Sequence, residues 1–189
     1  MHALIALIRM VWGITGSGDR IDKILETMVN LKEQDGLKIS VIVSKAGEQV
    51  FRWYKLWDRL KASFDKVSTE TNANVPFIAG PLQIGKYDLL FVAPLTGNST
   101  AKIAYGIADT LITNAVAQTL KGSTPVYVYP VDQSTNPVET MSPDGIKFTI
   151  SPRSIELENV DRLRSMEGVT VLSDPSEILD VIRRKLEHT

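Results

Sequence analysis

Asp88-Leu-Leu-Phe-Val-Ala-Pro-Leu-Thr-Gly-Asn-Ser-Thr-Ala-Lys102 decides the fold. A short unbroken apolar run, bounded by an acid and a Pro/Gly segment, is the pattern of a strand buried on both faces, as in parallel sheets. The hydroxyl-rich stretch after it predicts a helix start, with Asn98 or Ser99 as the cap of a helix over 98–120. Outward from this unit the pattern repeats. Residues 3–14 read as a first strand that stops at Gly13-Ile-Thr-Gly-Ser-Gly18. Ile21, Ile24, Leu25, Met28 and Leu31 then recur at helical spacing, and Leu37–Val43 reads as a second buried strand ending at Ser44-Lys45. A single helix is predicted over 48–61 from Val50, Trp53, Tyr54, Trp57 and Leu60. Residues 125–131 read as a strand, 132–145 as a surface loop and 146–150 as a short strand. A helix near 157–166, a strand over 169–172 and a helix from Pro175 complete the chain. Such alternation implies a three-layer α/β domain over 1–189, a parallel sheet with helices on both faces and right-handed crossovers.

Composition narrows the chemistry. The chain has 189 residues, 43% apolar and 23% charged, with 21 basic against 22 acidic side chains. A net charge of -1 gives no sequence-independent case for nucleic acid or an anionic membrane. Met1–Ile8 is too short to span a bilayer and lacks a small-residue cleavage site, so a cytoplasmic protein is expected, with Met1 or Met10 as its start. There is no cysteine, and His2 and His188 are the only histidines. Thiolate-held clusters, cysteine nucleophiles, Ser-His-Asp triads and multi-histidine metal sites are thereby excluded. Redox or group-transfer chemistry would rest on a bound cofactor.

In parallel sheets ligands sit beyond the carboxyl ends of the strands, which directs attention to three loops. The first offers Gly13, Thr15, Gly16, Ser17 and Gly18 directly before a helix, a cradle of N–H groups and hydroxyls suited to phosphate. Its G-x-x-G-x-G spacing is neither the dinucleotide G-x-G-x-x-G nor a G-K-[ST] triphosphate loop. Asp19 beside it would repel a phosphate unless it caps the helix and points away. The second strand ends in Ser44 and Lys45, which suit a phosphate better than a ribose diol. Together these favour a ligand with one phosphate, such as FMN, over NAD or ATP. In the third loop Pro94, Leu95, Thr96, Gly97, Asn98 and Ser99 present donors, acceptors and a glycine for close approach to a flat ring. Lys102 stands one turn on, and Val131 ends the next strand. Trp53, Tyr54 and Trp57 read as core or subunit interface rather than a ring-stacking box.

At these loops the chain resembles the homo-oligomeric flavin-containing cysteine decarboxylase superfamily. The residues that carry the resemblance are Gly13–Gly18, Val43-Ser44 and the segment from Ala93 to Asn114 (Ala-Pro-Leu-Thr-Gly-Asn-Ser-Thr-Ala-Lys-Ile-Ala-Tyr-Gly-Ile-Ala-Asp-Thr-Leu-Ile-Thr-Asn). The resemblance implies a Rossmann-like or flavodoxin-like domain that binds FMN. Two departures speak against decarboxylation. Val75-Pro76-Phe77-Ile78 places phenylalanine where the decarboxylases carry a catalytic histidine, and Pro130-Val-Asp-Gln-Ser-Thr lacks their substrate-binding asparagine and Met-Trp pair. The chain is more similar still to the archaeoflavoprotein and dihydromethanopterin-reductase-like branch. Trp12-Gly-Ile-Thr-Gly16, the segment Ile155–Gly168 and Pro175-Ser-Glu-Ile178 carry that likeness. It implies an FMN-dependent oxidoreductase that passes electrons, with ferredoxin as donor, a dihydropterin or other small molecule as acceptor, and a homotrimeric or higher assembly. The alternatives are an FMN-dependent prenyltransferase or decarboxylase-like enzyme of the same superfamily, and a non-catalytic flavin-binding assembly subunit.

Overall fold

The computed structural model of the chain describes residues 7–187. His2, His188 and the first residues of the predicted strand lie outside that range. In chain order the elements are β1 (Ile8–Ile14), α1 (Ile21–Lys32), β2 (Leu37–Val43), α2 (Lys45–Trp53), α3 (Trp57–Ser63), β3 (Val67–Thr69), α4 (Ala79–Gln83) and β4 (Leu89–Leu95). They continue with α5 (Gly97–Ala104), α6 (Leu111–Thr119), β5 (Val126–Pro130), β6 (Val138–Met141), β7 (Lys147–Ile150), α7 (Ser154–Arg164), β8 (Val169–Val171) and α8 (Glu177–Glu187).

Six strands form one parallel sheet in the order β3-β2-β1-β4-β5-β8, which is the expected α/β class. Strand alternation divides the core between two faces. Met10, Trp12 and Ile14 of β1 pack with α1, α2, α3 and α8, through residues such as Leu25, Phe51, Leu60 and Ile178. Val11 and the β4 residues Leu90 and Val92 pack with Leu82, Ile112, Val116 and Leu163 on the other face. Both faces are thus covered, which is why β4 reads as continuous apolar sequence.

The chain builds outward from β1 to β3, then crosses back to place β4 on the far side of β1. The order reverses between β1 and β4, and the loops leaving these strands diverge there.

Four sequence expectations are corrected. The helix predicted over 48–61 is two helices, broken where Lys55 takes a positive φ of 58°. The helix predicted over 98–120 is also two; Gly106 has φ 72°, and Thr110 caps α6 by accepting the Thr113 N–H. Residues 132–145 are not simply loop, because β6 pairs antiparallel with β7 in a hairpin around Ser142-Pro-Asp-Gly145. Thr96, rather than Asn98 or Ser99, caps α5 by accepting the Ser99 N–H at 3.2 Å.

A crevice at the point where strand order reverses

The loops after β1 and β4 are joined by one side chain. Thr15 is buried, and its Oγ1 donates to the Pro94 carbonyl at 2.7 Å while accepting the Thr96 N–H at 2.9 Å. Its hydroxyl is committed to holding the two loops together. The next residue is pressed against α2: a Cβ on Gly16 would lie 2.6 Å from the Ala46 Cβ, so only glycine lets the chain pass. Ser44 caps α2 by accepting the Gly47 N–H at 3.0 Å, and its own N–H donates to the Ile14 carbonyl. The three loops therefore meet at one place. Among the described residues, the backbone N–H groups of Gly16 and Gly18 have no acceptor.

Beyond them lies a cavity of about 270 Å³ bounded by Gly16, Ser17, Gly18, Thr96 and Val131 from the predicted set. It is continuous with a wider groove of about 650 Å³ that shares Gly18, Asp19, Tyr54 and Thr140. Together they reach the size of small-molecule sites. The other predicted residues serve around it. Gly13 lies in β1 under Ile112, and Pro94 and Leu95 are buried in β4. The Lys45 N–H donates to Glu70 and its side chain is exposed, as is Asn98. Ser99 is buried with its hydroxyl on Thr96, and the Lys102 ammonium is paired with Asp109 at 2.9 Å. Gly97 faces Asp132, and a Cβ there would lie 2.9 Å from the Asp132 Oδ2.

Several residues that shape the crevice escaped the sequence reading. The β6–β7 hairpin roofs it with Val138, Thr140, Phe148 and Ile150. Tyr54 forms a wall and donates from its hydroxyl to the Met141 carbonyl at 2.8 Å, tying the end of α2 to the roof. Of the aromatic run, Trp57 is buried beneath the Arg52 guanidinium, whereas Trp53 is exposed. The signal for the roof was present in Pro143-Asp-Gly145, a turn sequence between two short alternating runs.

Asp19 does not cap α1, whose start has no side-chain cap, but lines the cavity. Burial pushes its carboxyl above the usual aspartate range, with Arg20 and a Thr140 hydrogen bond opposing. Burial likewise raises Asp132, helped by the charge of Glu156, while Arg153 holds Glu156 below the usual glutamate range through their hydrogen-bonded pair. Two carboxyls that hold protons unusually well thus face one crevice. An acid raised in the folded state is destabilising once ionised, so the penalty is absent below the unfolded-state range and complete above the folded pKa. Asp132→Asn and Asp19→Asn are each expected to raise the melting temperature at pH 7, by no more than about 1–2 °C because solvent screens both half-exposed groups. The gain should vanish near pH 3 in a thermal-denaturation series; a gain that persists unchanged at pH 3 would contradict this account.

Phe77, at the position of the decarboxylase histidine, is exposed with its ring over Gly80, where it has no proton to offer.

The fold is a parallel α/β sheet with a crevice at its topological switch point, the place where such sheets take ligands. The chain belongs to the Flavoprotein family, whose model matches residues 5–188. It is 49% identical over 181 residues to an uncharacterized protein of Methanocaldococcus jannaschii, covering 96% of this chain and 97% of that one. It is 31% identical to the dihydromethanopterin reductase (acceptor) of Methanosarcina mazei, covering 92% and 98%. Among solved structures, Burkholderia xenovorans DmrB in complex with FMN, described as a cubic protein cage for redox transfer, superposes with a TM-score of 0.79 at 34% identity, covering 96% of each chain. Of the segments that carried the family resemblance in the sequence, Gly13–Gly18 and the start of Ala93–Asn114 lie at the crevice, while Ile155–Gly168 and Pro175–Ile178 fall on α7 and the start of α8. Among the described residues no helix is long and apolar enough to cross a membrane.

Proposed function

We propose that this protein is an FMN-dependent oxidoreductase that accepts electrons from a protein donor such as ferredoxin and delivers them to a small unsaturated acceptor of the dihydropterin kind. The crevice suits FMN: the free Gly16 and Gly18 N–H groups and the Ser17 hydroxyl suit one phosphate, and Thr96 and Val131 line the cavity beside them for the ring. Bound flavin supplies the hydride or electrons that no side chain here can provide. Thr15 keeps the phosphate and ring loops in register, and the apolar hairpin residues Val138, Phe148 and Ile150 limit water above the ring site.

The observation that carries the reading is the Thr15 bridge, which holds the free N–H groups of Gly16 and Gly18 beside the loop that opens α5. Reduction of a C=N bond needs a proton as well as a hydride, and the half-buried Asp132 carboxyl, which burial pushes above the usual aspartate range, lines the crevice where it can relay one. The charge of Glu156 reinforces that shift, while Arg153, hydrogen-bonded to Glu156, opposes it. The exposed apolar residues Val75, Phe77 and Ile84 around α4 provide a face for assembly into a homotrimer or higher homo-oligomer.

The test is anaerobic stopped-flow reduction of FMN-loaded protein, first confirmed as a multimer by light scattering, with reduced ferredoxin, NADH and NADPH in parallel. The reduced protein is then mixed with dihydromethanopterin. Fast flavin reduction by ferredoxin and reoxidation by the pterin are expected, with Asp132→Asn slowing only the second step by about 10²-fold. A protein that cannot be loaded with FMN, or is reduced by NADPH alone, would defeat the proposal.

A further inference from the structure

The opposite edge of the sheet, at the amino ends of the strands, carries a second cleft of about 440 Å³. Four cations line it: Arg9 from β1, Lys38 from β2, Lys66 before β3 and Lys86 before β4. The parallel register sets Arg9 directly opposite Lys38, and the Lys66 carbonyl accepts the Val41 N–H at 2.8 Å, bringing a third cation to the same corner. Like charges on directly paired positions are unfavourable and call for compensation. Among the described residues, none of the four is in an ion pair. The adjoining acid, Asp88, accepts the Arg9 backbone N–H at 2.7 Å.

A second observation is independent of charge. Ser40, on the same face of β2 as Lys38, is only 6% exposed and lines the cleft, and its hydroxyl has no hydrogen-bond partner among the described residues. Its hydroxyl opens on the cleft, where it is free to donate to a bound ligand. Anionic oxygen meets both needs, since it neutralises the cations and accepts from the serine.

We propose that this cleft binds a small phosphorylated molecule, its phosphoryl oxygens taken by Arg9, Lys38, Lys66, Lys86 and the Ser40 hydroxyl. Four cations against one carboxylate suit two linked phosphoryl groups better than one. Tyr87, half-buried in the wall, offers a flat apolar surface to the organic part. The site lies at the other end of the strands from the flavin crevice and stands whether or not the redox reading does.

The probe is inorganic pyrophosphate, titrated calorimetrically into the full chain preloaded with FMN so that the phosphate cradle at Gly16–Gly18 is filled. One saturable site per chain is expected, weakened at least tenfold by raising the salt from ~0.02 to ~0.3 M. Lys38→Gln and Arg9→Gln should each weaken it about tenfold, and Ser40→Ala, which leaves the charge intact, about fivefold. Sulfate should bind more weakly than pyrophosphate. An unchanged flavin absorption spectrum reports that each variant is folded. The proposal is overturned if no saturable heat appears, if affinity is indifferent to all three substitutions, or if pyrophosphate binds only when FMN is omitted.

Discussion

Thr15→Val is expected to weaken FMN binding by about ten- to a hundredfold while leaving the chain folded. Valine matches threonine in shape but cannot accept the Thr96 N–H, which has no other acceptor among the described residues. The Pro94 carbonyl loses its 2.7 Å hydroxyl donor and keeps only the Thr15 N–H at 3.2 Å. Leaving a buried donor unpaired costs about 1–3 kcal/mol, and the loops can avoid that cost only by moving apart. Such movement separates the Gly16–Gly18 loop from the Thr96 loop, the two that the proposed FMN site needs together, so affinity absorbs the loss. Thr15→Ser retains the hydroxyl and should bind within a few-fold of the parent. Quenching of flavin fluorescence on titration measures both; parental affinity in the valine variant would show that the bridge does not organise the crevice.

The second large effect is on stability. Trp12→Ala should cost about 3–5 kcal/mol, the range for deleting a large buried aromatic. Trp12 is fully buried in β1, its indole N–H donates to the Ala93 carbonyl at 2.7 Å, and its ring meets Phe64 edge-on at 5.4 Å. The loss is a large share of a typical domain's 5–15 kcal/mol. It should appear in urea titration as a midpoint shift with little change in slope. Trp12→Phe keeps most of the packing and should cost less than half as much. A loss below ~1 kcal/mol for the alanine variant would mean that the site around Trp12 collapses to fill the space. Because Trp12 bonds β1 to β4 three residues before Thr15, any surviving Trp12→Ala protein should also bind flavin poorly.

These residues illustrate what the sequence discloses. β1, β2 and β4 are legible because strands buried on both faces leave continuous apolar runs. The glycine loop and the Pro94–Ser99 loop are legible because each sits between such a run and a helical stripe. The break at Lys55 left no mark, since the apolar stripe from Val50 to Leu60 passes through it and a lysine there gives no warning of a positive φ. The break at Gly106 was marked, by a glycine and by Thr110 four residues on, but the flanking helical pattern outweighed both signs. β3 is three residues long and takes its conformation from pairing with β2, which is tertiary information. The roof of the crevice belongs to the same category. Tyr54 and Met141 lie 87 residues apart, and nothing local to either announces that they meet. Asp19 was legible as a problem for the phosphate; that it turns toward Thr140 instead of capping α1 was not.

The Tyr54–Met141 bond also bears on how such a protein ages. Reduced flavins exposed to air release peroxide, and the side chains that peroxide attacks first are thiols and accessible thioethers. This chain has no thiol to lose. Met10 and Met28 are fully buried and Met166 is partly so, which leaves Met141, 51% exposed at the rim of the roof, as the vulnerable sulfur among the described residues. Oxidation would therefore fall on the hinge of the hairpin rather than on the core. It would add a polar sulfoxide beside the carbonyl that anchors Tyr54, and would spare the buried sheet beneath.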